Sequence, residues 1–193
     1  MKEIYIATSN PHKVKEFKEM LTPLNIEVKS MLDLSIDEEI VENGTSFEEN
    51  ALIKARYLAK KLNRICVADD SGLEVDCLNK EPGIYSARYM GNDTSYRVKN
   101  EHIIKLCNQH TDRTCRFVCA MAICYPDQSE YVFTGTIEGT IAHEIIGEHG
   151  FGYDPIFYYE PEQTTLANID PVKKNKISHR YNALCLLLEH LNA

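Results

Sequence analysis

Long hydrophobic runs are missing from both ends of the sequence. The longest wholly apolar run near the C-terminus covers residues 183–188, and the N-terminus offers only residues 4–7 before a polar turn. Neither run is long enough to cross a membrane or to form the apolar part of a signal peptide. We therefore expect a cytoplasmic protein without a membrane partner.

Positive charge is also scarce. The 21 Lys and Arg residues stand against 29 Asp and Glu residues, which gives a formal net charge of -8. No overall positive field attracts polyanions, so non-specific binding to nucleic acid would need a local basic patch. We expect no nucleic-acid partner, and any phosphate ligand must be bound locally.

Paired cysteines are a third absence. The seven cysteines are an odd number, they include no C-x-x-C motif, and most lie inside apolar segments. This usage is typical of buried free thiols in a reducing compartment. It agrees with a cytoplasmic location and argues against secretion.

The composition that remains is that of an ordinary globular protein. The 193 residues are 44% hydrophobic and 26% charged, with 9 glycines and 7 prolines, which excludes disordered, collagen-like and coiled-coil chains. A chain of this length forms one domain, so we expect a single domain over residues 1–193, built from at most two lobes. Strand-like and helix-like segments alternate and include one hairpin, which predicts an α/β fold with a mixed sheet flanked by helices.

Helix signals occur at four places. Asn10, followed by proline, caps the first helix, and Ser46 opens the second with a capping box. A third helix is expected over residues 94–109, and a last one begins at Ser178.

Strand signals surround an acidic pair. The apolar residues 65–69 predict a buried strand that ends at Asp69-Asp70-Ser71-Gly72 and is continued by residues 73–78, and residues 116–125 with 131–142 predict a hairpin. Since adjacent residues of a strand point to opposite faces, at most one of the two aspartates faces a given ligand directly, and the other can orient it or a partner.

The turn after the first strand can bind an anion. Thr8, Ser9 and Asn10 lead into the N-terminus of a helix, and Lys13 lies one turn in, where its ammonium group can reach a phosphate oxygen. The alternative is an ordinary asparagine cap with a surface lysine.

The acidic pair can bind a metal together with Glu42. Mg²⁺ takes a few carboxylate oxygens and keeps water and substrate phosphates as its other ligands. The alternative is a turn with solvated aspartates. Lys54, on the second helix, is a third candidate site residue, and the alternative is an ordinary solvated lysine.

Aromatic residues among glycines form the last candidate site. Phe151, Gly152, Tyr153 and Asp154 can stack on a base, and the later donors of Lys174, His179 and Arg180 can read keto oxygens. The alternative is a packed turn with a salt bridge. The zinc-protease helix motif, the Walker loop and the G-x-S-x-G elbow are absent from the sequence.

Six motifs occur together in one order and cover residues 4 to about 188, and by them the chain resembles the inosine triphosphate pyrophosphatase family. The motifs are Thr8-Ser9-Asn10-x-x-Lys13, Ser46-Phe47-Glu48-Glu49-Asn50-Ala51-x-x-Lys54-Ala55, Asp69-Asp70-Ser71-Gly72-Leu73, Pro82-Gly83-Ile84-Tyr85-Ser86-Ala87-Arg88-Tyr89, Phe151-Gly152-Tyr153-Asp154-Pro155-Ile156-Phe157 and Ser178-His179-Arg180.

The resemblance implies a fold and a reaction. It implies two lobes on a long mixed sheet, with a nucleotide in the active-site cleft between them, and a homodimer. It also implies Mg²⁺-dependent hydrolysis of the non-standard purine nucleotides ITP, dITP and XTP to the monophosphate and pyrophosphate. Such hydrolysis would keep them out of DNA and RNA.

The resemblance also implies residue roles. The metal would be held by Glu42 and Asp70, and Asp70 would also be the catalytic base, supported by Asp69. The triphosphate would be bound by Thr8, Ser9, Asn10, Lys13 and Lys54. The substrate and its base would be contacted by Ser71, Phe151, Gly152, Tyr153, Asp154, Lys174, His179 and Arg180. A nucleotide-binding regulator without turnover and a phosphatase that removes the terminal phosphate are the alternatives.

Overall fold

Seven strands form one mixed sheet in the computed structural model, which describes residues 3–192. The strands are β1 (Glu3–Ile6), β2 (Glu27–Ser30), β3 (Cys66–Val75), β4 (Thr114–Cys124), β5 (Glu130–Ile141), β6 (Phe157–Tyr159) and β7 (Thr164–Thr165). Their order in the sheet is β2-β1-β3-β4-β5-β6-β7. β1 is parallel to β2 and β3, whereas β6 is antiparallel to β5 and β7. The predicted α/β fold with a mixed sheet is confirmed.

Within residues 3–192, five α-helices accompany the sheet: α1 (Pro11–Leu21), α2 (Phe47–Leu62), α3 (Tyr96–Cys107), α4 (Pro171–Ile177) and α5 (His179–Asn192). Asn10 and Ser46 cap α1 and α2 through their side-chain oxygens, as the sequence predicts. α3 begins two residues later than expected, because Ser95 supplies its cap, and it ends two residues earlier, at Cys107. α4 was not predicted, although Asp170 caps it in the same way. Among residues 3–192, no helix combines the length and the apolar character needed to cross a membrane.

β3 carries the acidic pair without an interruption. The expected strand end at Asp69-Asp70-Ser71-Gly72 is wrong, because β3 continues from Cys66 to Val75, and the expected continuation over residues 73–78 holds as far as Val75. Both aspartates are buried in the middle of the strand. A buried carboxylate is tolerated where it is paired and hydrogen-bonded, and the cations described below supply that pairing. The strand therefore has no physical reason to end at the acidic pair.

The chain divides into two compact units. Unit one contains the residues up to Asp70, Cys119–Gly135 and the residues from Arg180 on, and unit two contains Ser71–Val118 and Thr136–His179. The first two residues and the last residue of the domain predicted over 1–193 lie outside the described residues. The expected active-site cleft stays a prediction.

Each unit has its own hydrophobic core. In unit one, side chains of α1 and α5 pack on strand residues; the buried members are Ile4, Ile6, Phe17, Leu21, Val28, Val67, Cys119, Met121, Ile123, Ala183, Leu184 and Leu187. In unit two, side chains of α3 pack on strand and loop residues that include Leu73, Phe117, Ile156 and Phe157. These cores hold the polar side chains of the candidate site in fixed positions.

Candidate active site

Asp69 and Asp70 have different partners, as expected for successive residues of a strand. Oδ2 of Asp69 lies 3.0 Å from Nζ of Lys13 and accepts from Nη2 of Arg180 at 2.9 Å. Oδ1 of Asp70 lies 3.5 Å from Nζ of Lys54. Asp69 therefore pairs with Lys13 and Arg180, whereas Asp70 pairs with Lys54.

Arg180 neutralises two buried carboxylates. Its guanidinium group is only 1% exposed. Nε and Nη2 donate to Asp69, and Nη1 donates to Glu16. Burial alone would raise the pKa of Asp69, but the cations of Lys13 and Arg180 hold it well below its usual range. Asp69 therefore stays charged at neutral pH and anchors this network.

Lys54 bridges Glu42 and Asp70. Its Nζ donates to Oε1 of Glu42 at 3.0 Å and lies 3.5 Å from Oδ1 of Asp70. The alternative of a solvated lysine is wrong, because Lys54 is buried. Burial raises the pKa of Asp70, and the ammonium group of Lys54 offsets part of that rise. The two carboxylates and the ammonium group form a compact charged cluster in unit one.

Asn50, which has no role among the predicted site residues, completes this cluster. The side chain is wholly buried on α2. Its Nδ2 donates to Oδ2 of Asp70 at 3.1 Å, and its Oδ1 accepts from the backbone N–H of Gly44 at 2.9 Å. The available signal was its spacing: Asn50 lies four residues before Lys54, so both side chains lie on one helix face.

Gly44 allows the close approach of the loop that carries Glu42. A Cβ atom on Gly44 would lie 2.7 Å from Oδ1 of Asn50 and 2.7 Å from Cβ of Glu49. Only glycine leaves room for this contact without a shift of the helix or the loop. The loop and α2 together fix the position of Glu42 relative to Asp70.

The turn before α1 forms an asparagine cap. Oδ1 of Asn10 accepts from the backbone N–H groups of His12 and Lys13, and Oγ1 of Thr8 accepts from the N–H of Asn10. The cap alternative is confirmed in this respect, but Lys13 is not a surface lysine, because its ammonium group contacts Asp69. Ser9 is exposed. Phosphate binding by this turn stays a prediction.

The carboxylates of unit one suit a hard divalent cation. Glu42 and Asp70 both lie within 3.5 Å of the same ammonium nitrogen, so their oxygens are close together. Among residues 3–192, no group of three or more His, Cys, Asp or Glu side chains could hold a metal. Two carboxylates are what Mg²⁺ uses when substrate phosphates complete its ligands. The donor set fits Mg²⁺, whose binding stays a prediction.

A buried ion pair holds the glycine-rich loop of unit two. Oδ2 of Asp154 accepts from Nζ of Lys174 at 2.8 Å and from the backbone N–H of Phe151 at 2.9 Å. The ammonium group of Lys174 also lies 5.3 Å from the centre of the Phe151 ring. The structure thus brings three of the expected base-binding residues together, in the form of the packed turn with a salt bridge.

Tyr153 lies in the hydrophobic core of unit two. The residue is 3% exposed, its hydroxyl donates to the carbonyl of Ser86 at 2.7 Å, and its ring meets the edge of Tyr96. Contact of Tyr153 with the base stays a prediction. Phe151 is only partly buried, so it is the ring of this segment that can offer a face to a ligand.

The three remaining predicted residues have separate positions. His179 is buried and stacks on Phe117, with ring centres 4.8 Å apart. Ser71 is partly buried in β3, next to Asp70. Arg180 lies with Asp69 and Glu16, so its expected role as a donor to the base is not supported by the contacts of its guanidinium group.

Comparisons with known proteins find relatives over the whole chain. A sequence model of the Ham1 family matches residues 4–190. The dITP/XTP pyrophosphatase of Bacillus subtilis is 46% identical, and the match covers 100% of this chain and 98% of that protein. The solved Ham1 protein of Staphylococcus aureus has a TM-score of 0.88 at 44% identity and covers 99% of this chain and 98% of its own. A HAM1 protein from Coxiella burnetii has a TM-score of 0.89 at 38% identity and covers 100% and 99%.

Proposed function

This chain belongs to the Ham1 family, and from that premise we propose that it hydrolyses the non-standard purine nucleotides ITP, dITP and XTP to the monophosphate and pyrophosphate. The observation that carries the proposal is the cluster of Glu42, Asn50, Lys54 and Asp70. It combines a carboxylate of raised pKa and a second carboxylate, each with an oxygen within 3.5 Å of one buried ammonium group. Such groups can activate water and stabilise phosphate charge at one place.

Asp70 is the proposed catalytic base. It would orient a water molecule and take its proton as the water oxygen attacks the α-phosphorus and the bond to the pyrophosphate oxygen breaks. Burial already disfavours the charged form of this carboxylate, so proton uptake is easier than for an exposed aspartate. The amide of Asn50 and the ammonium group of Lys54 fix the two oxygens of Asp70.

Lys13 and Lys54 would bind the triphosphate together with Thr8, Ser9 and Asn10. Phosphoryl transfer needs chiefly positioning and charge stabilisation, which ammonium groups and backbone N–H groups supply. Asp69 and Arg180 act through Lys13: Asp69 holds its ammonium group, and Arg180 keeps Asp69 charged. These contacts support the role that we propose for Asp69, which is to hold Lys13 next to the catalytic base.

The charge of unit one favours a divalent cation in the reaction. Four carboxylates, those of Glu16, Glu42, Asp69 and Asp70, stand against the three cations of Lys13, Lys54 and Arg180. A triphosphate would meet an excess of negative charge in this group. Glu42 and Asp70 would hold Mg²⁺, which when bound neutralises the charge that develops on the leaving pyrophosphate.

The loop of unit two is the proposed reader of the base. Phe151 offers a partly exposed ring, and Lys174 carries donors for a 6-keto oxygen, with Gly152, Asp154, Ser71 and His179 as further candidates. A 6-amino group in that position would face donors, and each unmet buried polar group costs about 1–3 kcal/mol. Lys174 and Arg180 both already donate to carboxylates, so these contacts do not rank one above the other as a reader of the base. Donors at this position would favour a 6-keto purine over the 6-amino purine of ATP.

Three further parts of the proposal concern assembly and location. We infer a cytoplasmic homodimer from the family resemblance, and no nucleic-acid partner from the net charge of -8. The protein would act on the free nucleotide pool and remove ITP, dITP and XTP before polymerases use them.

Product analysis tests the proposed reaction. The purified protein is incubated with ITP, XTP, GTP and ATP, with and without Mg²⁺, and the products are identified by ³¹P NMR. We expect pyrophosphate from ITP and XTP only when Mg²⁺ is present, and little product from ATP. Orthophosphate as the first product would indicate a terminal phosphatase, and binding without turnover would indicate a regulator.

A further inference from the structure

One face of α3 lies against the loop of Gly150 to Asp154, here called the base loop. Tyr96, Lys99 and Asn100 are spaced by three and four residues, so their side chains share that face. All three contact the base loop or the segment that holds Tyr153 in place. None of them belongs to the six motifs described above.

Asn100 holds the base loop by its backbone. The side chain is 2% exposed, and Nδ2 donates to the carbonyl of Gly152 at 3.1 Å. Its Oδ1 is buried and has no hydrogen-bond partner among residues 3–192. A buried polar atom without a partner costs stability, so this position is not optimised for packing alone. The contact that Asn100 does make fixes the residue next to Phe151.

Tyr96 closes the loop from a second side. Its ring meets the Tyr153 ring edge-on, with centres 5.3 Å apart. The φ angle of Gly152 is +66°, and a Cβ atom there would lie 3.6 Å from the Tyr96 ring. The loop thus takes a left-handed turn directly against α3, in a conformation that glycine adopts without strain.

Lys99 fixes the partner of Tyr153. Its side chain is almost fully buried, and Nζ donates to the carbonyl of Ala87 at 2.7 Å and lies 4.8 Å from the Tyr96 ring centre. Ser86, the residue before Ala87, accepts the hydroxyl of Tyr153. Burial lowers the pKa of Lys99, and the carbonyl and the ring together stabilise its charge. Tyr153 is therefore held by α3 directly and through this segment.

We propose that this face of α3 positions the base loop and thereby sets the affinity of the enzyme for the purine base, with Asn100 as the principal positioning residue. The proposal rests on the proposed function, since it concerns the same loop. The hydrogen bond to Gly152 fixes the backbone between Phe151 and Asp154, whose carboxylate orients Lys174. A shift of this backbone would move the ring and the ammonium group that are proposed to contact the base.

Two inhibitors distinguish binding of the base from binding of the phosphates. IMP carries the purine base with one phosphate, and tripolyphosphate carries the three phosphates without a base. Inhibition constants for both are measured against ITP hydrolysis by the wild-type protein, by Asn100→Ala and by Lys105→Ala, an exposed residue of the same helix. For Asn100→Ala we expect the inhibition constant of IMP to rise about tenfold and that of tripolyphosphate to stay within about twofold of wild type. Lys105→Ala should change neither constant.

A second variant covers the case in which Asn100→Ala does not fold. Tyr96→Leu removes the edge contact with Tyr153 at a partly exposed position. It should raise the inhibition constant of IMP and leave that of tripolyphosphate unchanged. If both constants change equally, or if neither changes, the positioning role is overturned while the proposed function stands. Wild-type protein that hydrolyses no purine triphosphate would instead overturn the proposed function, and this inference with it.

Discussion

Arg180 and Asp69 are separated by 111 positions in the sequence, yet Nη2 of Arg180 donates to Oδ2 of Asp69 at 2.9 Å in the interior of unit one. The same guanidinium group also holds Glu16, and Asp69 in turn holds Lys13. Arg180, which the resemblance implies to be a base-binding residue, thus stabilises the charge of Asp69, and Asp69 in turn positions Lys13.

Replacing Arg180 should affect stability more than base preference. In Arg180→Met, Asp69 and Glu16 lose a buried partner, and we expect the free energy of unfolding to fall by about 3–5 kcal/mol. Urea denaturation measures this loss. Arg97→Met, which removes an exposed ion pair on α3, should cost less than about 1 kcal/mol. A stable Arg180→Met protein with altered preference between ITP and ATP would contradict this role and support the reading of the base.

Replacing Asp70 should affect turnover with little effect on folding. Asp70→Asn keeps the shape of the side chain but removes the proton acceptor, so kcat should fall by about 10²- to 10⁴-fold. The thermal midpoint should stay close to that of the wild-type protein. Asp76→Asn, at a more exposed aspartate paired with Lys80, is the matched control and should keep full activity. Turnover of Asp70→Asn within a few-fold of wild type would exclude Asp70 as the base.

A side chain at position 44 should weaken metal use. In Gly44→Ala, the new Cβ would meet Asn50 and Glu49 at 2.7 Å, so the loop with Glu42 must move. We expect the Mg²⁺ concentration for half-maximal activity to rise about tenfold, because one of the two proposed ligands is displaced. Asn43→Ala, at the exposed neighbouring position, is the control. Equal Mg²⁺ dependence in both variants would show that Glu42 is not a ligand of the metal.

Asp33 should make stability depend on pH in the acid range. Hydrogen bonds from the backbone and hydroxyl of Ser30, together with Lys18, lower the pKa of Asp33 to about 2 in the folded protein. Since the folded pKa lies below the unfolded one, this stabilisation is full above about pH 4 and is lost as the pH falls toward 2. The difference in unfolding free energy between wild type and Asp33→Asn, from urea titrations at several pH values, should therefore shrink below pH 4. A constant difference down to pH 2.5 would show that Asp33 gains nothing from these contacts.

Local sequence signals predict the helix starts well. Asn10 and Ser46 cap helices because their short polar side chains can accept hydrogen bonds from the backbone N–H groups of the first helical turn. The mixed sheet follows from the alternation of elements in the same way. The acidic pair and the strand segments on both sides of it were found from the sequence, but the interruption expected at the pair is absent, because the cations that allow buried aspartates come from distant segments.

Long-range pairing accounts for the residues that the sequence did not reveal. The spacing of Asn50 and Lys54 indicates a shared helix face, but it does not indicate the contact with Asp70, which lies 20 positions away on another element. Asn100 lies 52 positions from Gly152. Tyr153 resembled a ring for stacking, and only its contacts with Ser86 and Tyr96 identify it as a buried support. Such contacts depend on the packed structure, which one sequence does not contain.

The position of water attack is the most direct test of the account. ITP is hydrolysed in ¹⁸O-labelled water with Mg²⁺, and ³¹P NMR locates the label through its isotope shift. If a water oriented by Asp70 attacks the α-phosphorus, the ¹⁸O atom appears in IMP and the released pyrophosphate is unlabelled. Label in the pyrophosphate, with unlabelled IMP, would place the attack on the β-phosphorus and contradict the proposed role of this site.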